Sequence, residues 1–193
     1  MAVSTWKVGD SGDHVVRLFE GSGAMWTAVC VVAGGFAGPG CADGQLHQPC
    51  DLRFSGDGTG LVVADAANGR VSLLRVEDGS FVRHVATELS YPMDVEGCEG
   101  GWLVACWQSH SIEFVEDGGG RGTLCGLGSG DGHLRLPATV ALVPGLGLVV
   151  REFGGGGAIQ LFATPDAIAM ASMSPHRVAW MVVVARGIAL LAV

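Results

Sequence analysis

A proline returns at positions 49, 92 and 137, at intervals of 43 and 45 residues, and each time it heads the same succession of short apolar runs and glycine turns. A period of this length constrains the fold more than any local propensity, because one supersecondary unit must be built repeatedly and stacked on itself. The clearest copy begins in the stretch Gly38-Pro39-Gly40-Cys41-Ala42-Asp43-Gly44-Gln45-Leu46-His47-Gln48-Pro49. Four β-forming runs follow, Cys50 to Phe54, Leu61 to Asp65, Arg70 to Val76 and Phe81 to Ala86. Ser55-Gly56-Asp57-Gly58, Ala66-Ala67-Asn68-Gly69 and Glu77-Asp78-Gly79 separate them with turn chemistry, and Asn68-Gly69 reads as a pair in which both residues tolerate positive φ.

The second copy aligns Tyr91-Pro92 with Gln48-Pro49 and predicts strands over Met93 to Val95, Trp102 to Cys106, Ser111 to Val115 and Gly122 to Cys125. The third opens at Gly128 and predicts strands over Ala138 to Val143, Leu148 to Arg151 and Ala158 to Phe162. A half copy precedes them all: Val8-Gly9-Asp10 and His14 to Phe19 match Val63-Ala64-Asp65 and Gly69 to Leu74, with Thr27 to Ala33 as its fourth strand. Four strands in about 43 residues make a propeller blade, a sheet that buries its two faces only by stacking on neighbours. The fold expected is therefore all-β, a partial or open β-propeller of four-stranded antiparallel blades with a helical C-terminal segment. Its half blade covers 6–34 and its blades about 35–89, 90–127 and 128–163, with 164–193 as the terminal segment.

Composition agrees with turns and short strands. Glycine numbers 32 without a Gly-X-Y period, which excludes collagen. Apolar residues make up 49% of the chain, so compositional disorder is excluded as well. The net charge is −8 and the 11 basic residues are scattered, so no basic stripe for phosphate contacts is visible. An acidic balance also disfavours anionic membranes. Cys30, Cys41, Cys50, Cys98, Cys106 and Cys125 lie mostly in apolar runs, and Met1 to Asp10 lacks the apolar core of a signal peptide. The expectation is buried, reduced thiols in a cytoplasmic protein.

The motif residues resemble the NHL-repeat family. The loop Ala42-Asp43-Gly44-Gln45-Leu46-His47-Gln48-Pro49 and the corner Val63-Ala64-Asp65-Ala66-Ala67-Asn68-Gly69-Arg70-Val71 carry the likeness. The later copies are degenerate, with Cys106 and Arg151 in place of the corner aspartate. The resemblance spans roughly residues 6 to 163 and implies a propeller that recognises proteins or RNA, in some members as part of a ubiquitin ligase. Those ligases carry a RING zinc domain, and no Cys-x-x-Cys pair stands here.

Antiparallel blades place the loop before strand one and the loop between strands two and three on one face. That geometry converges Gln45, His47, Asp65, Asn68, Arg70, Trp107, Gln108, His110, His133, Arg135, Arg151 and Glu152 as a candidate binding face. Against this, Asp65 and Arg70 can simply brace the corner, His47 and His133 can be ordinary loop residues, and Trp107 can pack between blades. Cys41-x5-His47-x2-Cys50 matches no common zinc spacing, and Asp43-Gly44 and Asp131-Gly132 lack the alternating carboxylates of a calcium loop. Ser11, Ser55 and Ser129 stand in no nucleophile elbow, and Gly154 to Gly157 is followed by no Lys-Ser/Thr.

The function expected is a non-enzymatic scaffold for protein–protein interaction, with no cofactor or metal. One alternative is a metalloenzyme fragment of the propeller lactonase or amidating-lyase kind. Another is the recognition part of an NHL-type ubiquitin ligase without its RING domain. RNA recognition stands as a further reading, and self-association through an open blade edge as another. After Ala163 the pattern breaks. Thr164-Pro165-Asp166 and Ser174-Pro175 predict helices near Pro165 to Ala171 and Pro175 to Leu191. Arg186 interrupts the apolar run of the second, which argues for a helix that covers an exposed blade edge or face over one that spans a membrane.

Overall fold

The computed structural model describes residues 4–10, 12–22, 25–34, 38–127, 132–143, 147–154 and 157–162, with the backbone alone given for much of 4–34. The expected C-terminal helices, and the edge-covering role assigned to them, lie outside the described residues.

Among the described residues fourteen strands form four antiparallel sheets in chain order. Blade I holds β1 (Ser4–Asp10), β2 (Val15–Ser22) and β3 (Met25–Gly34). Blade II holds β4 (Pro49–Phe54), β5 (Gly60–Asp65), β6 (Arg70–Arg75) and β7 (Phe81–Ala86). Blade III holds β8 (Pro92–Cys98), β9 (Gly101–Cys106), β10 (Ser111–Glu116) and β11 (Arg121–Cys125). Blade IV holds β12 (Pro137–Val143), β13 (Gly147–Glu152) and β14 (Ile159–Phe162). Within each sheet sequential strands are neighbours, the meander that hairpin turns dictate.

The register repeats. Pro49 faces Asp65, Pro92 faces Cys106 and Pro137 faces Glu152, each beside a bulge. Asp10 pairs with Val15 as Asp65 pairs with Arg70 and Cys106 with Ser111, so β1 takes the place of a second strand. Among the described residues, blade I has no first strand and blade IV no fourth. The first strands β4, β8 and β12 pack side by side along the inner edge of the arc.

Three apolar layers fill the spaces between blades. Val16, Leu46, Leu61, Val63 and Leu74 lie between blades I and II. Val62, Val71, Val95, Trp102 and Val104 lie between blades II and III, and Leu103, Ile112, Leu134, Val140 and Phe162 between blades III and IV. Alternation along β9 explains the sorting, because Trp102, Val104 and Cys106 face one neighbour while Leu103 and Ala105 face the other. Each fully buried Leu, Val or Phe contributes about 1.5–3 kcal/mol. The loop leucines Leu46, Leu89 and Leu134, three residues before each proline, are all buried and plug the ends of these layers.

The residue before each proline is left-handed, with φ of 53° at Gln48, 57° at Tyr91 and 54° at Leu136. This conformation is disfavoured for a non-glycine residue, and doubly so before proline. Its recurrence marks the corner loops as the over-determined part of each blade. The corner turn itself differs from expectation at one point. Ala66–Asn68 is a 3-10 turn and only Gly69 is left-handed, with φ 60°, so Asn68 is freed to act through its side chain. Among the described residues no helix is long and apolar enough to cross a membrane.

Candidate functional site

The corner of blade II is built around a buried aspartate. Asp65 Oδ1 accepts from the His47 amide at 2.7 Å, and Oδ2 accepts from Asn68 Nδ2 and Arg70 Nε, both at 2.8 Å. The Arg70 guanidinium then donates to the carbonyls of Cys41, Ala42 and Gln45 at 2.7, 3.2 and 2.8 Å, while Asn68 Nδ2 also reaches the Gly40 carbonyl at 2.8 Å. Gln45 turns back on its own loop, accepting from the Ala42 amide. These side chains fasten the glycine-rich loop to the blade. Asp65 and Arg70 are buried, so of the two roles open to them bracing is the one observed.

Blade IV builds the same corner with a different residue. Glu152, not Arg151, faces Pro137, and its Oε1 accepts from the Arg135 amide at 2.5 Å. Gln160 Nε2 donates to Glu152 Oε2 and to the His133 carbonyl. The sequence alignment slipped by one residue here, and in a strand one residue changes the face. Arg151 consequently points outward, bonded to Thr139 Oγ1 and stacked 4.9 Å over the Phe153 ring. In blade III the corner carries Cys106, whose buried thiol is pushed up to about 12, chiefly by desolvation.

Histidines join one blade to the next. His14 and His110 are left-handed at the position of Gly69. His14 Nδ1 accepts from the Gln48 amide at 3.0 Å, and His110 Nδ1 accepts from the Leu136 amide at 2.9 Å. Each bond holds a strained pre-proline residue of the following blade. The His47 ring meets His14 edge-on at 5.1 Å. Trp107 is half-buried and tilts against Tyr91 at 5.8 Å, and Tyr91 in turn donates its hydroxyl to Gln48 Oε1. The Trp107 indole nitrogen is shielded from solvent yet has no hydrogen-bond acceptor among the described residues.

Of the twelve residues singled out in the sequence, Gln45, Asp65, Asn68, Arg70 and Glu152 are therefore engaged inside the corners, and His47 and His110 sit at blade junctions. Gln108, His133, Arg135 and Arg151 remain exposed, joined by half-buried Trp107 and by the 55% exposed ring of Phe153. They lie on three loops tied together at Leu136, whose amide goes to His110 and whose carbonyl accepts from the Phe153 amide. Among the described residues no exposed carboxylate shares these loops.

A second constellation escaped sequence reasoning. Asp51 and Asp94 stand two residues after Pro49 and Pro92 on the inner strands, with Arg53 and Glu96 two residues further on. Arg53 donates to Asp51 at 3.0 Å, Asp94 at 3.5 Å and Glu96 at 3.3 Å. Each carboxylate also accepts a backbone amide of the next blade: Asp51 from Val95, Asp94 from Val140 and Glu96 from Leu142. Burial, then the hydrogen bond and charge of Asp51, push the Asp94 carboxyl up to about 7. The repeated Asp two places after a proline was the available signal, since a carboxylate on a buried strand needs a partner. Chemically the cluster is a polar staple along the arc, with its single guanidinium central to three carboxylates. Among the described residues no three His, Cys, Asp or Glu side chains converge as a metal site.

Solved structures share the fold. A hydrazine synthase from Kuenenia stuttgartiensis superposes with a TM-score of 0.62 at 16% identity, over 87% of this chain and 44% of that one. A virginiamycin B lyase from Staphylococcus aureus gives 0.53 at 14% identity, over 85% and 54%. Both are β-propeller-type folds, and the four antiparallel sheets described above are blades of that kind. The chain spans about half the length of these matches. No protein-family model and no curated protein matches it.

Proposed function

We propose that this chain is a non-catalytic propeller module of NHL type that binds a protein partner through the corner loops of blades III and IV. The observation that carries the reading is the sorting of charge. On these loops the carboxylate Glu152 is turned inward, leaving Arg135, Arg151 and His133 facing out beside Phe153 and Trp107. Exposed carboxylates stand elsewhere, with Asp57, Glu77, Asp78, Glu99 and Asp117 at the opposite end of the blades and Asp13, Asp43 and Glu88 on the other corner loops. On a chain of net charge −8, an exposed arginine–aromatic patch is suited to an acidic segment, since Arg and aromatic side chains supply most interface energy. The NHL reading is supported by the Asp65–Asn68–Arg70 brace, which gives the three polar side chains of that corner a structural task. The lactonase- or lyase-like alternative has the fold in common but draws on no donor set among the described residues.

The test is selection of random peptides on the immobilised full chain. Enrichment of Asp/Glu-rich sequences, lost with Arg135→Glu combined with Arg151→Glu and weakened by Phe153→Ala, is the expected result. Selected peptides that bind the Arg135→Glu/Arg151→Glu variant as well as the parent would remove this face from consideration. Stoichiometric divalent metal in the purified protein would move the reading toward an enzyme.

A further inference from the structure

At the end of the arc opposite the corner loops, a cavity of about 640 Å³ opens between blades II and III. Its origin is one residue. Five places after each proline the first strand carries Phe54, Gly97 and Leu142 in blades II, III and IV. Leu142 packs into the apolar layer between blades III and IV, whereas the equivalent site between blades II and III has only the hydrogen of Gly97. Glycine inside a strand is unfavourable and marks a place where something must approach closely. A Cβ on Gly97 would stand in ordinary van der Waals contact, at 3.4 Å, with the ring of Trp102, its cross-strand partner.

The walls are Val62, Leu73, Val85 and Trp102, with the 48% exposed Phe54 at the opening. The rim is acidic. Asp57, Glu99 and Asp117 all line it, against the single cation Arg83. Hydrogen bonds from Ser55 and Thr59 hold the Asp57 carboxyl down to about 2, so it stays anionic. The carboxylates of Glu99 and Asp117 have no hydrogen-bond or ion-pair partner among the described residues. Cys98, which also lines the space, is pushed up to about 12 by burial and is no nucleophile. The volume lies within the range of small-ligand pockets.

We infer that this cavity binds a small organic cation with an apolar body, the body against Trp102, Leu73 and Val85 and the charge held at the rim by Glu99 and Asp117. Two attractions favour such a ligand over a neutral one of equal size: the unpaired carboxylates, and the face of an aromatic ring in a partly desolvated site. This site is independent of the corner face and stands or falls separately from the proposed protein-binding role.

Benzyltrimethylammonium is the probe, titrated into the full chain while the Trp102 indole resonance is followed by NMR, that resonance being assigned by its loss in Trp102→Phe. A saturable shift is expected. Glu99→Gln with Asp117→Asn, both exposed and free of structural partners, should weaken binding at least fivefold, and Arg83→Gln should tighten it. Benzyl alcohol and benzoate should each bind at least tenfold more weakly than the cation. Equal binding of benzyl alcohol, or indifference to the rim substitutions, would overturn the charge selection. Absence of any shift up to about 20 mM, a loss of all but millimolar-weak affinity, would overturn the site.

Discussion

Asp94 makes the stability of this arc depend on pH in a direction opposite to most carboxylates. It is buried, its Oδ2 accepts from the Val140 amide at 2.6 Å, and it shares a hydrogen bond with Asp51. Its carboxyl titrates near 7 in the folded chain against an ordinary 3.8, raised first by desolvation and then by Asp51. The folded state therefore binds this proton more tightly than the unfolded state. The stabilisation is complete below pH 4 and drains away as pH rises toward 7, at up to about 1.4 kcal/mol per pH unit. The ceiling over that window is about 4 kcal/mol for one proton. Asp94→Asn is the uncharged counterpart of the protonated acid, with an oxygen to accept from Val140 and an NH2 to donate to Asp51, at the loss of the long bond from Arg53. We expect urea midpoints measured by tryptophan fluorescence at pH 5, 6, 7 and 8 to fall with pH more steeply in the parent than in Asp94→Asn. The difference between the two proteins isolates this residue from the histidines. Parallel curves, or a parent that gains stability relative to the variant as pH rises from 5 to 7, would refute the argument.

Arg70→Met leaves Asp65 charged and buried and orphans three loop carbonyls, so a loss of about 3–5 kcal/mol is expected; a shift in urea midpoint worth under about 1 kcal/mol would mean the corner is not held as described. Gly69→Ala meets two obstacles, a left-handed φ of 60° and a Cβ placed 2.6 Å from the Leu89 carbonyl oxygen. It should lower stability by roughly 1–3 kcal/mol, read in the same assay. Alkylation of the native chain by iodoacetamide at pH 8, mapped by mass spectrometry, should label exposed Cys41 well before Cys98, Cys106 and Cys125, which burial pushes up to about 12.

Most of the blade architecture was legible because its signals are local. Turn residues at fixed offsets and a proline before each first strand mark where chain direction reverses, and the observed strands follow them closely, as at Phe81–Ala86. The first sheet carries the same signal, since Val8-Gly9-Asp10 repeats the end of β5 and pairs onward at Val15 as Asp65 does at Arg70. The candidate face was only partly so. A motif reveals that Asp65, Asn68 and Arg70 act together, but whether they face a partner or the loop behind them depends on burial. The Arg151–Glu152 misassignment has a sharper cause: both are polar, and the period-two alternation of a strand turns a one-residue slip into a change of face. The inner staple left only the repeated Asp after each proline as a mark, because its bonds join residues more than forty positions apart, such as Asp94 to Val140, through backbone amides that carry no sequence signature. Gly97 was hidden differently: in a chain with 32 glycines, the one that matters is known only by what stands at its place in the other blades.

The inner staple has a consequence for how such a chain can lengthen. Asp51 and Asp94 reach forward to a main-chain amide, a group every non-proline residue supplies. An inserted duplicate of residues 49–91 would present an amide at Leu52 where Val95 now stands, and would carry its own aspartate onward. The forward bond of each aspartate would find its amide, although the copy's Arg53 would then stand where Glu96 now meets Arg53. Whole-period duplication is then free of any need to re-match the main-chain half of a seam. Where Thr139 replaces the aspartate, that freedom ends, because a seam copied from blade IV would have nothing to reach forward with.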